Sequence, residues 1–167
     1  MQAIVNVTPK WGIGINNQLL VRIRADMKRF RALTLHKTVI VGRKTLETFP
    51  GGKPLSDREN IILSGSMSCA PEGAIVCHDL DELRAILAER DPDSVFVCGG
   101  ETIYSLLIPY CTKALVTVTY TDADADRFFP DLDVMPNWIL NSVGETETEG
   151  DLKYRFLEYI NIDPKKL

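Results

Sequence analysis

The chain has 167 residues, 45% hydrophobic and 25% charged, a composition able to bury the core of one domain spanning residues 1–167. Its net charge of −4 excludes a broad basic surface for nucleic acid or anionic membrane, so any anion site has to be local. No apolar run reaches the roughly eighteen residues of a membrane span, and the N-terminal residues lack a signal-peptide pattern, so a cytoplasmic protein is expected.

Ala3–Thr8 opens the chain as a β-rich run. Trp11–Val21 follows, mixing glycines with apolar residues, and reads either as a mobile lid over a cleft or as an ordinary connecting loop. Arg24–Leu33 reads as a helix that sets Asp26 and Phe30 one turn apart with Met27 beside them. A carboxylate there is either an exposed first-turn acid that suits the helix dipole or one that awaits a polar ligand.

Thr38–Val41 reads as a buried strand that leaves through Gly42 into a short helix begun by Arg43, Lys44 and Thr45. A helix start offers N–H groups and a positive dipole end to phosphate, and the two cations add donors for a further phosphate; a plain junction with two solvated cations fits the segment equally. Further strands are expected at Asn60–Leu63, Ala74–Cys77, Ser94–Cys98 and Ala114–Tyr120. Between them, Leu80–Glu89 is a helix capped by Asp79, with Glu82 three residues on and Leu80, Leu83, Ile86 and Leu87 as its apolar stripe. Gly99-Gly100 then leads Glu101, Thr102, Ile103 and Tyr104 into a helix, a second glycine-led junction at a strand end.

Strands alternating with helices predict a largely parallel sheet, and Trp138–Val143 with Tyr154–Ile160 predict an antiparallel hairpin closing one edge around Gly144–Gly150. The tail Asp163–Leu167 reads as poorly anchored. Cys69, Cys77, Cys98 and Cys111 form no C-x-x-C pair and His36 and His78 stand apart, so reduced thiols, exposed histidines and no metal site are expected.

Taken together, Ile13-Gly14, Ala25-Asp26 with Phe30 four residues after the acid, Val41-Gly42-Arg43-Lys44-Thr45, Arg58 to Ser64, Gly99-Gly100 with Tyr104, Thr117 and Phe129-Pro130 resemble, in order and spacing, the dihydrofolate reductases. The resemblance covers nearly the whole chain. It implies a single-domain α/β fold, with a central, mostly parallel twisted sheet, an antiparallel C-terminal edge and helices on both faces. It also implies NADPH-dependent reduction of dihydrofolate by a monomer.

By that resemblance Asp26 accepts the 2-amino group and N3 of the pterin, and Thr117 links to it directly or through water. Ile4, Val5 and Cys98 line the pterin, the first and last through their carbonyls. Met27, Phe30, Phe49 and Leu55 enclose the p-aminobenzoyl ring, Arg58 grips the α-carboxylate of the glutamyl tail, and Tyr104 borders both ligands. The cofactor falls to Asn6, Ile13, Gly14, Asn17 and Leu19; to Gly42, Arg43, Lys44 and Thr45; to Leu63, Ser64, Gly65 and His78; and to Cys98, Gly99, Gly100, Glu101, Thr102, Ile103 and Tyr104.

Two departures stand out. Leu19-Leu20-Val21 replaces the family's Leu-Pro-Trp, and Arg24 replaces a proline two residues before the acid; Arg24 is expected to point outward. The rival readings are a pyrimidine reductase of riboflavin synthesis, which gives no reason for Phe30 and Arg58, and a non-catalytic nucleotide- or folate-binding module.

Overall fold

The structure, a computed structural model, describes residues 1–167. In chain order its elements are β1 (Gln2–Val7), β2 (Gly12–Ile15), β3 (Gln18–Leu19), α1 (Arg24–Thr34), β4 (Thr38–Gly42), α2 (Arg43–Thr48), β5 (Glu59–Leu63), β6 (Ala74–Cys77) and α3 (Leu80–Leu87). They continue through β7 (Val95–Gly99), α4 (Glu101–Leu107), β8 (Lys113–Tyr120), β9 (Arg127–Phe128), β10 (Trp138–Val143), β11 (Glu147–Glu149) and β12 (Leu152–Asn161). The main sheet runs β10-β12-β8-β1-β7-β4-β5-β6, with β11 paired to β12. Every pairing from β8 to β6 is parallel, and β12 lies antiparallel to both β8 and β10.

Alternating strand residues face opposite sides of the sheet, and each side has its own apolar layer. Ala3, Val5, Val7, Ile40, Ile61 and Val97 join Leu83 of α3 and Ile103 and Leu107 of α4. On the other face Ile4, Val39, Phe96 and Leu115 meet Phe30 and Leu33 of α1, while Val41 and Ile62 meet Leu46 of α2. The central parallel strands are mostly apolar because helices cover both faces. Asp79 caps α3, its side chain accepting from the Glu82 backbone N–H at 2.8 Å. No helix is long and apolar enough to cross a membrane.

Three expectations need correction. Trp11–Val21 is no plain loop: β2 and β3 form a hairpin that joins β9 in a separate three-stranded sheet. Its turn is Asn16-Asn17, both at positive φ (50° and 60°), a conformation asparagine tolerates and two-residue hairpins favour. The connection between β10 and β12 carries β11, whose residues pair along Tyr154–Leu152. The tail is anchored, with the Lys165 N–H donating to Pro109 O at 2.9 Å and Leu167 packed on the core.

Candidate active site

Parallel pairing sets Asn6 of β1 beside Thr117 of β8, and both side chains, with that of Thr119, face α1. Asp26, in the first turn of α1, lies against them. Its Oδ1 accepts from the Thr117 hydroxyl at 2.5 Å and its Oδ2 from Asn6 Nδ2 at 3.2 Å. Asn6 Oδ1 in turn accepts from the Thr119 hydroxyl at 2.8 Å. Asp26 is half-buried, while Thr117 and Thr119 are buried. Asn6, expected on the cofactor side, therefore has its amide engaged by the acid.

The start of α1 is held from far away in sequence. Ile23 is its N-cap residue and offers no side-chain oxygen. The Arg24 and Ala25 N–H groups instead donate to Glu149 Oε2 and Oε1 at 2.9 and 3.2 Å. Glu149 thereby takes two of the donors that a helix start leaves unpaired. The Arg24 side chain is exposed, as expected. Arg29, one turn after Asp26, lies 4.4 Å over the Phe156 ring, and the negative charge of Asp26 offsets part of the burial that lowers its pKa.

From Asp26 an apolar wall runs along the same face. Phe30, Leu55 and Cys98 pack against Ile4, Phe96 and Leu115, and Phe49 and Cys98 both pack against the neighbouring cluster of Val41, Leu46 and Ile62. Burial raises the Cys98 thiol far above its usual pKa, so it packs as a neutral group. Met27 does not belong to this wall, for it is 52% exposed. Val5 points its side chain into the layer on the opposite face, a consequence of strand alternation that leaves only its backbone on the cleft side. Tyr104 is buried against Phe129 with ring centroids 4.7 Å apart, and its hydroxyl donates to Ile4 O at 2.7 Å. One of the two lone pairs of that carbonyl is thus already used.

The far end of the wall is shaped by buried Asn60. Its Oδ1 accepts from the Leu55 N–H at 2.9 Å, and Nδ2 donates to Leu55 O and Arg58 O at 2.8 and 2.9 Å. The half-buried Arg58 points Nε to Ser56 O at 2.9 Å and Nη1 to Thr34 Oγ1 at 3.4 Å. Burial first, and then the neighbouring Arg31, lower the Arg58 pKa. No carboxylate accepts from its guanidinium, which leaves the group suited to an anion.

The two glycine-led junctions meet, since Val41 of β4 pairs with Gly99 of β7. A Cβ on Gly42 would fall 2.9 Å from Ile103 Cγ1, and one on Gly100 would fall 3.1 Å from Thr45 Oγ1. These glycines therefore let the start of each helix pack on the other. Arg43 and Lys44 are exposed, with Arg43 paired to Glu47 one turn on. At the end of adjacent β5, Ser64 Oγ lies 3.4 Å from Ser66 Oγ, beside exposed Gly65.

Other cofactor candidates are less available. The Leu63 and Ile103 side chains are in the core. His78 is exposed, yet its Nδ1 lies 2.9 Å from Glu82 Oε2 and its Nε2 3.0 Å from Met67 O, so both ring nitrogens have protein partners. Glu101 accepts from the Phe128 N–H at 2.9 Å and thereby ties α4 to the small sheet. In that sheet Ile13 is half-buried, Gly14 buried, and Asn17 and Leu19 exposed; Thr102 is exposed at the start of α4.

Thr119, Glu149 and Asn60 escaped the sequence reading as contributors to the site. Thr119 repeats the facing of Thr117 at period two and could have been found that way. Nothing local marks Glu149, whose partners are 124 and 125 residues away in sequence.

A family model described as dihydrofolate reductase matches residues 1–161. The chain is similar to the dihydrofolate reductase of Heliothis virescens, 32% identical over 166 residues that cover 89% of this chain and 90% of that protein. It is likewise similar to the dihydrofolate reductase of Bacillus subtilis, 32% identical with 88% and 86% covered, and to that of Staphylococcus aureus, 31% identical with 89% of each covered. The chain belongs to the dihydrofolate reductase family.

Proposed function

We propose that this chain reduces dihydrofolate to tetrahydrofolate with NADPH, acting as a monomer. The observation that carries the reading is Asp26: a carboxylate at the head of an apolar wall, with both oxygens oriented by Thr117 and Asn6, and with Arg58 at the other end.

The donor chemistry at the ends of β4 and β5 suits a dinucleotide that bears an extra phosphate. Gly42 pairs with Leu63, so Arg43 and Lys44 follow the end of one strand and Ser64 and Ser66 the end of its neighbour. Ile13 and Gly14 on the small sheet border the nicotinamide side in this reading. What bound NADPH supplies is hydride, from nicotinamide C4 to C6 of the pterin, while N5 gains a proton.

The chain's own residues do the rest. Asp26 accepts the paired donors of the pterin side by side and so sets its register. Its negative charge favours the N5-protonated form, with water as the immediate proton donor. Phe30, Leu55 and Phe49 exclude water around the p-aminobenzoyl ring, and Arg58 receives the α-carboxylate through its guanidinium fork.

The test is NADPH oxidation by the purified chain with dihydrofolate, set beside the pyrimidine substrate of riboflavin synthesis. Turnover with dihydrofolate alone supports the reading. Turnover with the pyrimidine, or with neither, overturns it.

A further inference from the structure

Asn6 has no role in the chemistry proposed above, yet both ends of its amide are engaged at the acid. An ionised carboxylate can only accept, so the atom 3.2 Å from Asp26 Oδ2 has to be the amide nitrogen. The amide oxygen then faces Thr119, whose hydroxyl, 2.8 Å away, has to donate. The acid thus selects one orientation of the amide, and Thr119, fully buried on β8, holds it there.

Each oxygen of Asp26 has its own protein donor: Thr117 at Oδ1 and Asn6 at Oδ2. The torsion that turns a carboxylate about its Cβ–Cγ bond is broad and weakly defined. One anchored oxygen leaves much of that freedom; two remove it. A pair of donors lying in the plane of a ring can be accepted side by side only if the carboxylate lies in that plane.

We propose that Asn6, oriented by Thr119, is a positioning residue for substrate: it fixes the plane of the Asp26 carboxylate and so organises the free enzyme for the pterin. The proposal rests on the function proposed above. Asn6 touches Asp26 and acts through it. Thr119 acts one step further back, through Asn6, which makes the effects of the two residues non-additive. Preorganisation of this kind affects binding more than the chemical step, because the pterin itself aligns the carboxylate once it is bound.

Steady-state kinetics with dihydrofolate, NADPH affinity by fluorescence titration and thermal unfolding test it on Asn6→Ala, Thr119→Val, Thr119→Ser and the Asn6→Ala/Thr119→Val pair. In Asn6→Ala the KM for dihydrofolate rises about tenfold and kcat changes less than about threefold, as expected for one lost bond to a charged group. NADPH affinity stays as in the wild type. Thr119→Val shifts KM the same way by about threefold, Thr119→Ser restores it, and the pair is no worse than Asn6→Ala alone.

An unchanged KM in Asn6→Ala overturns the proposal, as do additive effects in the pair. So does a loss of NADPH affinity in proportion to the loss for dihydrofolate, which would mark Asn6 as a support of the fold or of the cofactor site. If Asn6→Ala does not fold, Thr119→Val, nearly equal in volume to the wild type, decides alone by whether KM rises with NADPH affinity unchanged. A wild-type chain that does not reduce dihydrofolate sinks both readings; an active wild type with an indifferent Asn6→Ala sinks only the positioning role.

Discussion

Replacing Glu149 by Ala removes the only side-chain cap of the helix that carries Asp26. Ile23 gives that helix start no oxygen, so the Arg24 and Ala25 N–H groups, now 2.9 and 3.2 Å from the Glu149 carboxylate, lose their partner together. Loss of a helix cap costs about 1 kcal/mol, and loss of a negative charge at a helix N-terminus adds about 0.3–1 kcal/mol. The sum, about 1.3–2 kcal/mol, corresponds to a fall in Tm of about 3–8 °C for a chain of this size. Urea unfolding should show a lower midpoint with an unchanged slope, and Glu149→Gln, which keeps one acceptor oxygen without the charge, should fall between Ala and wild type. Because Asp26 sits in the same turn, kcat/KM for dihydrofolate should drop more than the affinity for NADPH. A Glu149→Ala midpoint equal to that of the wild type would refute the argument. So would equal stability of the Gln and Ala variants.

Other outcomes follow from the same geometry. Arg43→Ala should weaken NADPH about tenfold while leaving NADH nearly unchanged, measured as separate Kd values; an unchanged ratio between the two nucleotides contradicts the phosphate role. Asn60→Ala should unfold the turn that presents Leu55 and Arg58, lowering stability by about 2–3 kcal/mol for three part-buried hydrogen bonds and raising the KM for dihydrofolate; a change confined to stability would separate the turn from the site. His78 is held by Glu82, which raises its folded pKa above the unfolded value, so the pair stabilises most below about pH 6.5 and loses that contribution as pH rises through the folded pKa. The midpoint difference between wild type and His78→Gln should therefore be larger near pH 6 than near pH 9, and a pH-independent difference would rule the pair out.

How much was readable from sequence depended on how local the cause was. The parallel strands were legible because a strand covered on both faces is mostly apolar, as in the Val39-Ile40-Val41 run of Thr38–Val41, and Asp79 with Glu82 announced its own helix start. The Asn16-Asn17 hairpin was legible in principle, but Gly12 and Gly14 just before it made the segment look like a loop. What could not be read was which distant donor meets which acceptor. Val5 and Asn6 are neighbours in sequence, yet one faces the core and the other Asp26, and only the register of β1 on β8 decides it. Glu149 reaches α1 because β11 adds to β12, a pairing with no signal in the α1 sequence. The arginine at position 24 has a consequence of the same kind: a proline there would have no N–H, whereas Arg24 has one, and Glu149 takes it.

The most direct test of the central claim compares NADPH oxidation with dihydrofolate in the wild type and in Asp26→Asn, alongside the NADPH Kd of both. The account predicts turnover by the wild type, a loss of about a hundredfold or more in kcat/KM for Asp26→Asn as two bonds to a charged group are weakened, and equal NADPH affinity. Comparable turnover in the two proteins, or parallel losses of turnover and NADPH affinity, would contradict it.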